Sequence, residues 1–223
     1  MYKYSTNKKY NEDCLGYWNL EEASGTTRTG SHNLTDTGGS TQVNGIDGFA
    51  AAFTSTQWLT SAAAILTSGE FSIGFWYNPV SVVVNAGIVS QMIKPNPGVG
   101  TNGTFSVYQS FTGIQFGTSD GSAVNFRGTP IGTLKADSWH SVVCVFTKID
   151  AQNRRKIWLN GFLQDDTLPL GNNPVFGGLF RIGWSSTVVG EATGNGKIDR
   201  VRLWNRPIED REAYNFCRNP YRW

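Results

Sequence analysis

Apolar and polar residues alternate with a period of two through most of the chain, and the alternation is sharpest between Ser138 and Gly161. Two apolar runs, residues 139–147 and 156–160, flank a polar segment with Asp150, Asn153, Arg154 and Arg155, the pattern of a long β-hairpin. On a pleat, His140, Val142, Cys144 and Phe146 share one face and Ser141, Val143 and Val145 the other. Both faces are apolar or small, so this strand is expected to be covered on both sides. The second strand sets Ile157 and Leu159 against Trp158, and Asn160-Gly161 turns the chain.

The same period predicts strands at residues 15–20, 49–59, 71–77, 86–93, 104–109, 113–117, 123–126, 179–184 and 197–204. In 71–77, Phe71, Ile73, Phe75 and Tyr77 oppose Ser72, Gly74 and Trp76, and the small residues imply a close approach from that side. Residues 21–48, rich in Ser, Thr, Gly and Asn, read as a long surface loop. The prolines of 94–98 end a strand, since proline donates no ladder hydrogen bond. Residues 207–216 form the one predicted helix, with Pro207 suited to a first turn and Glu209 and Asp210 complementing the dipole. Strands at this cadence describe an all-β antiparallel sandwich with one short C-terminal helix.

Several motifs then carry a resemblance. Trp139-His140 opening a strand, Ile157-Trp158-Leu159-Asn160-Gly161, the run Gly196 to Asn205 (GKIDRVRLWN), Gly16-Tyr17-Trp18-Asn19-Leu20-Glu21-Glu22-Ala23-Ser24-Gly25-Thr26 and Phe71-Ser72-Ile73-Gly74-Phe75-Trp76 stand in the order they take in one family. The chain resembles the LamG-like jelly roll domain of the concanavalin A-like lectin/glucanase superfamily from Leu15 to Phe216. The resemblance implies a jelly roll with a closing helix. It also implies a structural Ca2+ near the junction of first and last strands, held by Asp199 and Glu22 with backbone oxygens, as a hard cation requires. The family's usual aspartate after Ser-Gly-Thr is replaced around Arg28-Thr29-Gly30, which takes one charge from that site; the alternative is an Asp199 hydrogen-bonded to loop amides.

Composition narrows the rest. The 223 residues, with 13% aromatic and 16% charged residues, suit one domain over 14–223 preceded by a polar arm at 1–13. The net charge of +2 gives no field for a polyanion, and no nucleic-acid-binding motif is present, so no nucleic-acid partner is expected. No apolar run is long enough for a membrane span or a secretory signal, so the chain is expected to carry neither. Three cysteines make no disulfide framework; Cys144 falls on a core face, while a Cys14–Cys217 bridge stays open. His140 reads as a core histidine and no Gly-x-Ser-x-Gly turn supports a serine nucleophile.

Relatives that hydrolyse sugars place alternate carboxylates on one strand as Glu-x-Asp-x-x-Glu, and this sequence has no such spacing. The chain is therefore expected not to be an enzyme. Sugars stack their C–H faces on aromatic rings, which makes Trp158, Trp184 and Tyr108 the candidate glycan-binding residues on the concave sheet. The expected function is non-catalytic recognition of a glycan or cell-surface polysaccharide, on a virion or in an extracellular setting. The tail Asn219-Pro220-Tyr221 resembles those of phage virion proteins. Two alternatives are kept: a structural decoration protein bound to other virion subunits through the arm and tail, and a polysaccharide-active enzyme with an unrecognised site.

Overall fold

The computed structural model describes residues 14–23, 30–82, 85–92, 103–120, 124–150, 152–170, 173–187 and 190–219. In chain order these residues form β1 (Cys14–Trp18), β2 (Leu34–Thr37), β3 (Thr41–Asn44), β4 (Phe49–Phe53), β5 (Trp58–Ser61), β6 (Phe71–Pro79), β7 (Ala86–Met92), β8 (Gly103–Ser110) and β9 (Gly113–Ser119). There follow β10 (Val124–Gly128), β11 (His140–Ile149), β12 (Gln152–Leu159), β13 (Phe162–Leu170), β14 (Leu179–Ile182), β15 (Trp184–Thr187), β16 (Gly190–Thr193), β17 (Gly196–Trp204) and helix α1 (Asp210–Arg218). The first sheet runs β13-β12-β11-β6-β17-β4-β3, with β1 also on β17. The second runs β10-β9-β8-β7-β14-β5-β2, and β15–β16 form a separate ribbon.

The period-two pattern places the core. Phe71, Ile73, Phe75 and Tyr77 of β6 join Val142, Cys144, Phe146, Ile157 and Leu159 from one side and Phe105, Val107, Ile114, Phe116, Phe180 and Ile182 from the other. Rings carry much of this burial: Trp18 stacks on Phe180 at 4.7 Å, and Phe71 lies 5.2 Å from Phe105 and 5.4 Å from Phe146.

A smaller core lies on the outer face of the first sheet, where Trp76, Val143, Val145 and Trp204 meet Ile208, Ala213, Phe216 and Cys217. This is the expected cover for the second face of β11. It also explains the small residues of β6, because a Cβ at Gly74 would stand 3.1 Å from the Phe216 ring and 3.2 Å from Trp204.

Several boundaries differ from expectation. The predicted strand 49–59 is two strands, β4 and β5, split by a turn in which Gln57 N–H donates to Thr54 O at 3.1 Å. Residues 21–48 hold β2 and β3 rather than loop alone, and β13, β15 and β16 were not foreseen. Strand β12 starts at Gln152, so Arg154 and Arg155 belong to the ladder, not to the turn. The helix begins at Asp210 rather than at Pro207 because the Glu212 carboxylate accepts from Glu209 N–H at 2.8 Å and fixes that residue as the N-cap. Arg206 holds the same carboxylate through both terminal nitrogens at 2.7 and 2.8 Å. None of the three cysteines is in a disulfide. The arm 1–13, the proline stretch 94–98 and residues 220–223 of the tail lie outside the described residues.

Candidate functional site

The structure does not bring the three aromatic candidates together. Trp158 lies on β12 with its ring half-buried on the outer face of the first sheet, packed against the core that α1 covers. Tyr108 and Trp184 belong to the other side of the molecule. Along β8, Phe105 and Val107 point into the main core, so Thr104, Ser106 and Tyr108 point outward. A groove shared by Trp158 and Trp184 is therefore not formed. Tyr108 and Trp184 are each 3% exposed, so neither offers a free ring face in this conformation.

What covers them is specific. After β14 the chain bends at Gly183, where φ is +81°, and the β15–β16 ribbon lies across the outside of β7 and β8. Gly87 allows this approach: a Cβ there would stand 2.2 Å from Ala192 O and 2.5 Å from Ser185 N. Ser90 Oγ donates to Trp184 O at 2.9 Å, and the Arg181 guanidinium sits 4.6 Å from the Trp184 ring centroid.

Beside the ribbon, Tyr108 meets Phe126 of β10 edge to face at 5.0 Å. Phe126 stands opposite Gly117 in the ladder and spreads over it, since a Cβ at Gly117 would fall 2.5 Å from the ring. Val124, Gln115 and Phe126 are half-buried on this surface. The sequence reading missed Phe126 and Arg181; the signal for the first was a glycine placed across the ladder from an aromatic residue, a pairing that leaves the ring a flat seat.

The charges on this side are few. The seven strands of the second sheet contain one acidic residue, Asp36, and both its oxygens accept from Ser40, at 3.0 Å from N–H and 2.6 Å from Oγ. Two carboxyl groups facing one another at hydrolytic spacing are not found on these strands.

Asp199 sits elsewhere, at a bulge in β17. The pairing of β17 with β6 shifts between Asp199 and Arg202, and Arg200 takes φ +51°, which re-aims both side chains toward the loop at 45–48. Asp199 Oδ2 accepts from Ile46 N–H at 2.9 Å, and Gly45 leaves room for it, as a Cβ there would be 2.5 Å from that oxygen. Arg200 pairs with Asp47. Glu21 accepts from Phe49 N–H at 2.8 Å, and Glu22 is half-buried beside it in the chain.

Asp199 is 0% exposed, and its Oδ1 is buried without a hydrogen-bond partner. Burial pushes its carboxyl up to about 7. A buried carboxylate oxygen with no donor suits a hard cation. Among the described residues no group of three His, Cys, Asp or Glu side chains converges, so backbone carbonyls would have to supply most of the shell. Residues 24–29, which include the Ser-Gly-Thr motif, lie outside the described residues.

His140 is a satisfied core residue. Asn160 Oδ1 accepts from Ser141 N–H at 3.1 Å, which turns the amide nitrogen of Asn160 toward His140 Nδ1 at 3.0 Å. Nε2 lies 3.1 Å from Lys135 N and 3.2 Å from Lys135 O, so both ring nitrogens have partners within the fold.

Residues 53–213 match the family model of the concanavalin A-like lectin/glucanases superfamily. Among solved structures, the chain is similar to domain 4 of a GH43 extracellular arabinanase from Geobacillus stearothermophilus in complex with arabinotriose (TM-score 0.69, 13% identity, covering 92% of this chain and 98% of that one). It is similar to a botulinum neurotoxin type C structure described by its interaction with two ganglioside molecules (TM-score 0.67, 15% identity, 94% of this chain), of which it spans 52%. A third is the CBM40 of a Ruminococcus gnavus IT-sialidase bound to α2,3 sialyllactose (TM-score 0.53, 14% identity, 67% of this chain and 83% of that one). No curated protein sequence matches the chain.

Proposed function

The chain belongs to the concanavalin A-like lectin/glucanase superfamily, and from that premise we propose that it is a non-catalytic glycan-recognition module. Its binding surface is the outer face of the second sheet beside the β15–β16 ribbon. The observation that carries this reading is the half-buried Phe126 ring, seated over Gly117 and braced edge to face at 5.0 Å by the buried Tyr108, on a face whose strands hold no acid other than Asp36, which is bonded to Ser40. The Phe126 ring can stack a sugar, and the strands of this face do not carry the paired carboxylates of glycoside hydrolysis. The arabinotriose, ganglioside and sialyllactose named for the similar structures support sugar as the ligand class.

A glycan array followed by titration of the hits tests the proposal. Phe126→Ala should abolish binding while leaving the circular dichroism spectrum unchanged. Full affinity in that variant, or release of reducing ends from mixed polysaccharides, refutes it.

The proposal includes a structural Ca2+ held by Asp199 and Glu22, supported by the partnerless buried Oδ1 of Asp199. Bound there, the ion would neutralise the buried carboxylate and tie the loop at 45–48 to β17. The proposed setting is a virion or extracellular surface, supported by the resemblance of the tail.

A further inference from the structure

Arg155 is a charged residue in the wrong place for a turn and an odd one for a core. It alternates with Asn153, Ile157 and Leu159 on the inner face of β12, is 0% exposed, and ranks with the tryptophans and phenylalanines among the largest fully buried side chains. Its side chain crosses the sandwich. Nη1 donates to Phe116 O at 3.3 Å and to Asn125 O, so one edge of the guanidinium is anchored to β9 and β10 of the opposite sheet.

The other edge is unused. Nε and Nη2 are both buried with no hydrogen-bond partner, and these two N–H groups form the parallel fork that matches a carboxylate. The preceding residue shows the occupied version: Arg154 uses the same two atoms, Nε and Nη2, to hold the two oxygens of Asp166 on the outer face. Leaving such donors unmade inside a protein is costly.

Two other charged groups act on Arg155. Burial, followed by repulsion from Arg127 of β10, lowers its guanidinium to about 10, and Asp165 of β13 opposes the shift. Asp165 faces Ile157 in the ladder, and Thr167 faces Arg155, so both lie on the same inner face. Thr167 Oγ1 donates to Asp165 Oδ1 at 2.6 Å, while Asp165 Oδ2 is buried without a partner. Asp165 thus presents a lone acceptor beside an open pair of donors, and it does not close that pair itself.

We propose that the seam between β10 and β13 is an acidic-sugar subsite, in which Arg155 Nε and Nη2 take the ligand carboxylate and Asp165 Oδ2 accepts one of its hydroxyls. β10 and β13 are the terminal strands of the two sheets, lie against one another and share no ladder, so the seam is held by side chains and by the Arg155–Asn125 bond and can part without breaking strand pairing. With Arg127 and Arg155 against Asp165, the local formal charge is +1, which favours a monoanion. The site goes beyond the aromatic face of the second sheet and is tested apart from it.

The readout is the Arg155 Nε–H resonance of the isotope-labelled full chain, titrated at constant ionic strength with glucuronate, glucose, acetate and chloride. Glucuronate should shift it saturably, acetate should bind about tenfold more weakly for want of the hydroxyl contact, and glucose and chloride should leave it unmoved. Asp165→Asn, which raises the local formal charge from +1 to +2, should tighten acetate and shrink the advantage of glucuronate over it; Arg127→Gln should weaken both; Arg155→Lys, which lacks the reporter and is read by titration calorimetry, should abolish both. Should Arg155→Lys not fold, the titration of the unaltered chain and the other two variants still decide. No response to glucuronate, an equal response to chloride, or an Arg155 Nε–H already bonded to Asp165 in the free protein overturns the proposal. The glycan array with Phe126→Ala reports on the aromatic face and the Arg155 titration of the unaltered chain reports on the seam, so failure at one and failure at the other are told apart.

Discussion

The contact between the β15–β16 ribbon and β7 depends on one absent methyl group. In Gly87→Ala the new Cβ would meet Ala192 O at 2.2 Å, Ser185 N at 2.5 Å and Trp184 C at 2.8 Å. All three are backbone atoms, which cannot swing aside as a side-chain tip can. Ordinary carbon–oxygen contact needs about 3.3 Å, so the ribbon must lift by roughly 1 Å. Gly87 is not among the glycines at positive φ, so the penalty comes from space and not from backbone strain.

Overpacking of this kind costs about 1–3 kcal/mol. The lift also stretches the 2.9 Å bond from Ser90 Oγ to Trp184 O, worth about 1 kcal/mol, and loosens the Arg181–Trp184 contact. The sum, about 2–4 kcal/mol, lowers Tm by roughly 5–15 °C in a domain of this size. Differential scanning calorimetry measures the loss, and tryptophan fluorescence reports the release of Trp184. A Tm within about 1 °C of the parent, with unchanged emission, would refute the account of how the ribbon is seated.

Other outcomes follow from the same structure. Trp158→Ala should cost about 3 kcal/mol, as for a large aromatic removed from a packed cluster, and leave glycan affinity intact; chemical denaturation and the array read the two separately. Burial lowers His140 below its ordinary value of 6.5. Its stabilising contribution is therefore complete above that value and drains away as pH falls through the lowered folded value, so Tm should drop on acidification below 6.5, and less so in His140→Gln. Ca2+ added to chelator-treated protein should raise stability by about 2.7 kcal/mol at a hundredfold excess over Kd, and Asp199→Asn should abolish the rise; indifference of the parent protein to Ca2+ would remove the ion from the proposal.

The sandwich was legible because period two is a backbone property. Phe71, Ile73, Phe75 and Tyr77, or Val142, Cys144 and Phe146, carry their face assignment in the sequence, and the apolar second face of β11 correctly foretold a cover that proved to be α1. Short strands hid in polar text: β2 (LTDT) and β3 (TQVN) hold too few apolar residues to show a period. Arg155 was read as turn because a buried arginine breaks the pattern that reveals strands. The site was harder still. Which tryptophan faces which sheet can be deduced from alternation, but whether a ribbon from elsewhere lies over that face cannot, and the β15–β16 ribbon is what buries Trp184. The Phe126–Gly117 pairing was written in the sequence, yet only the ladder register sets the two opposite each other.

The middle of the first sheet is supplied by β17, which pairs with β6, β4 and β1, although it is the last of the described strands in chain order. Until residues 196–204 have been synthesised, β6 lacks a neighbour on one side and β1 has no partner in the sheet. Closure of this layer therefore waits for β17 and joins segments far apart in the chain, a long-range topology that folds slowly. Nascent chains halted before Gly196 should present unpaired strand edges to chaperones or to one another.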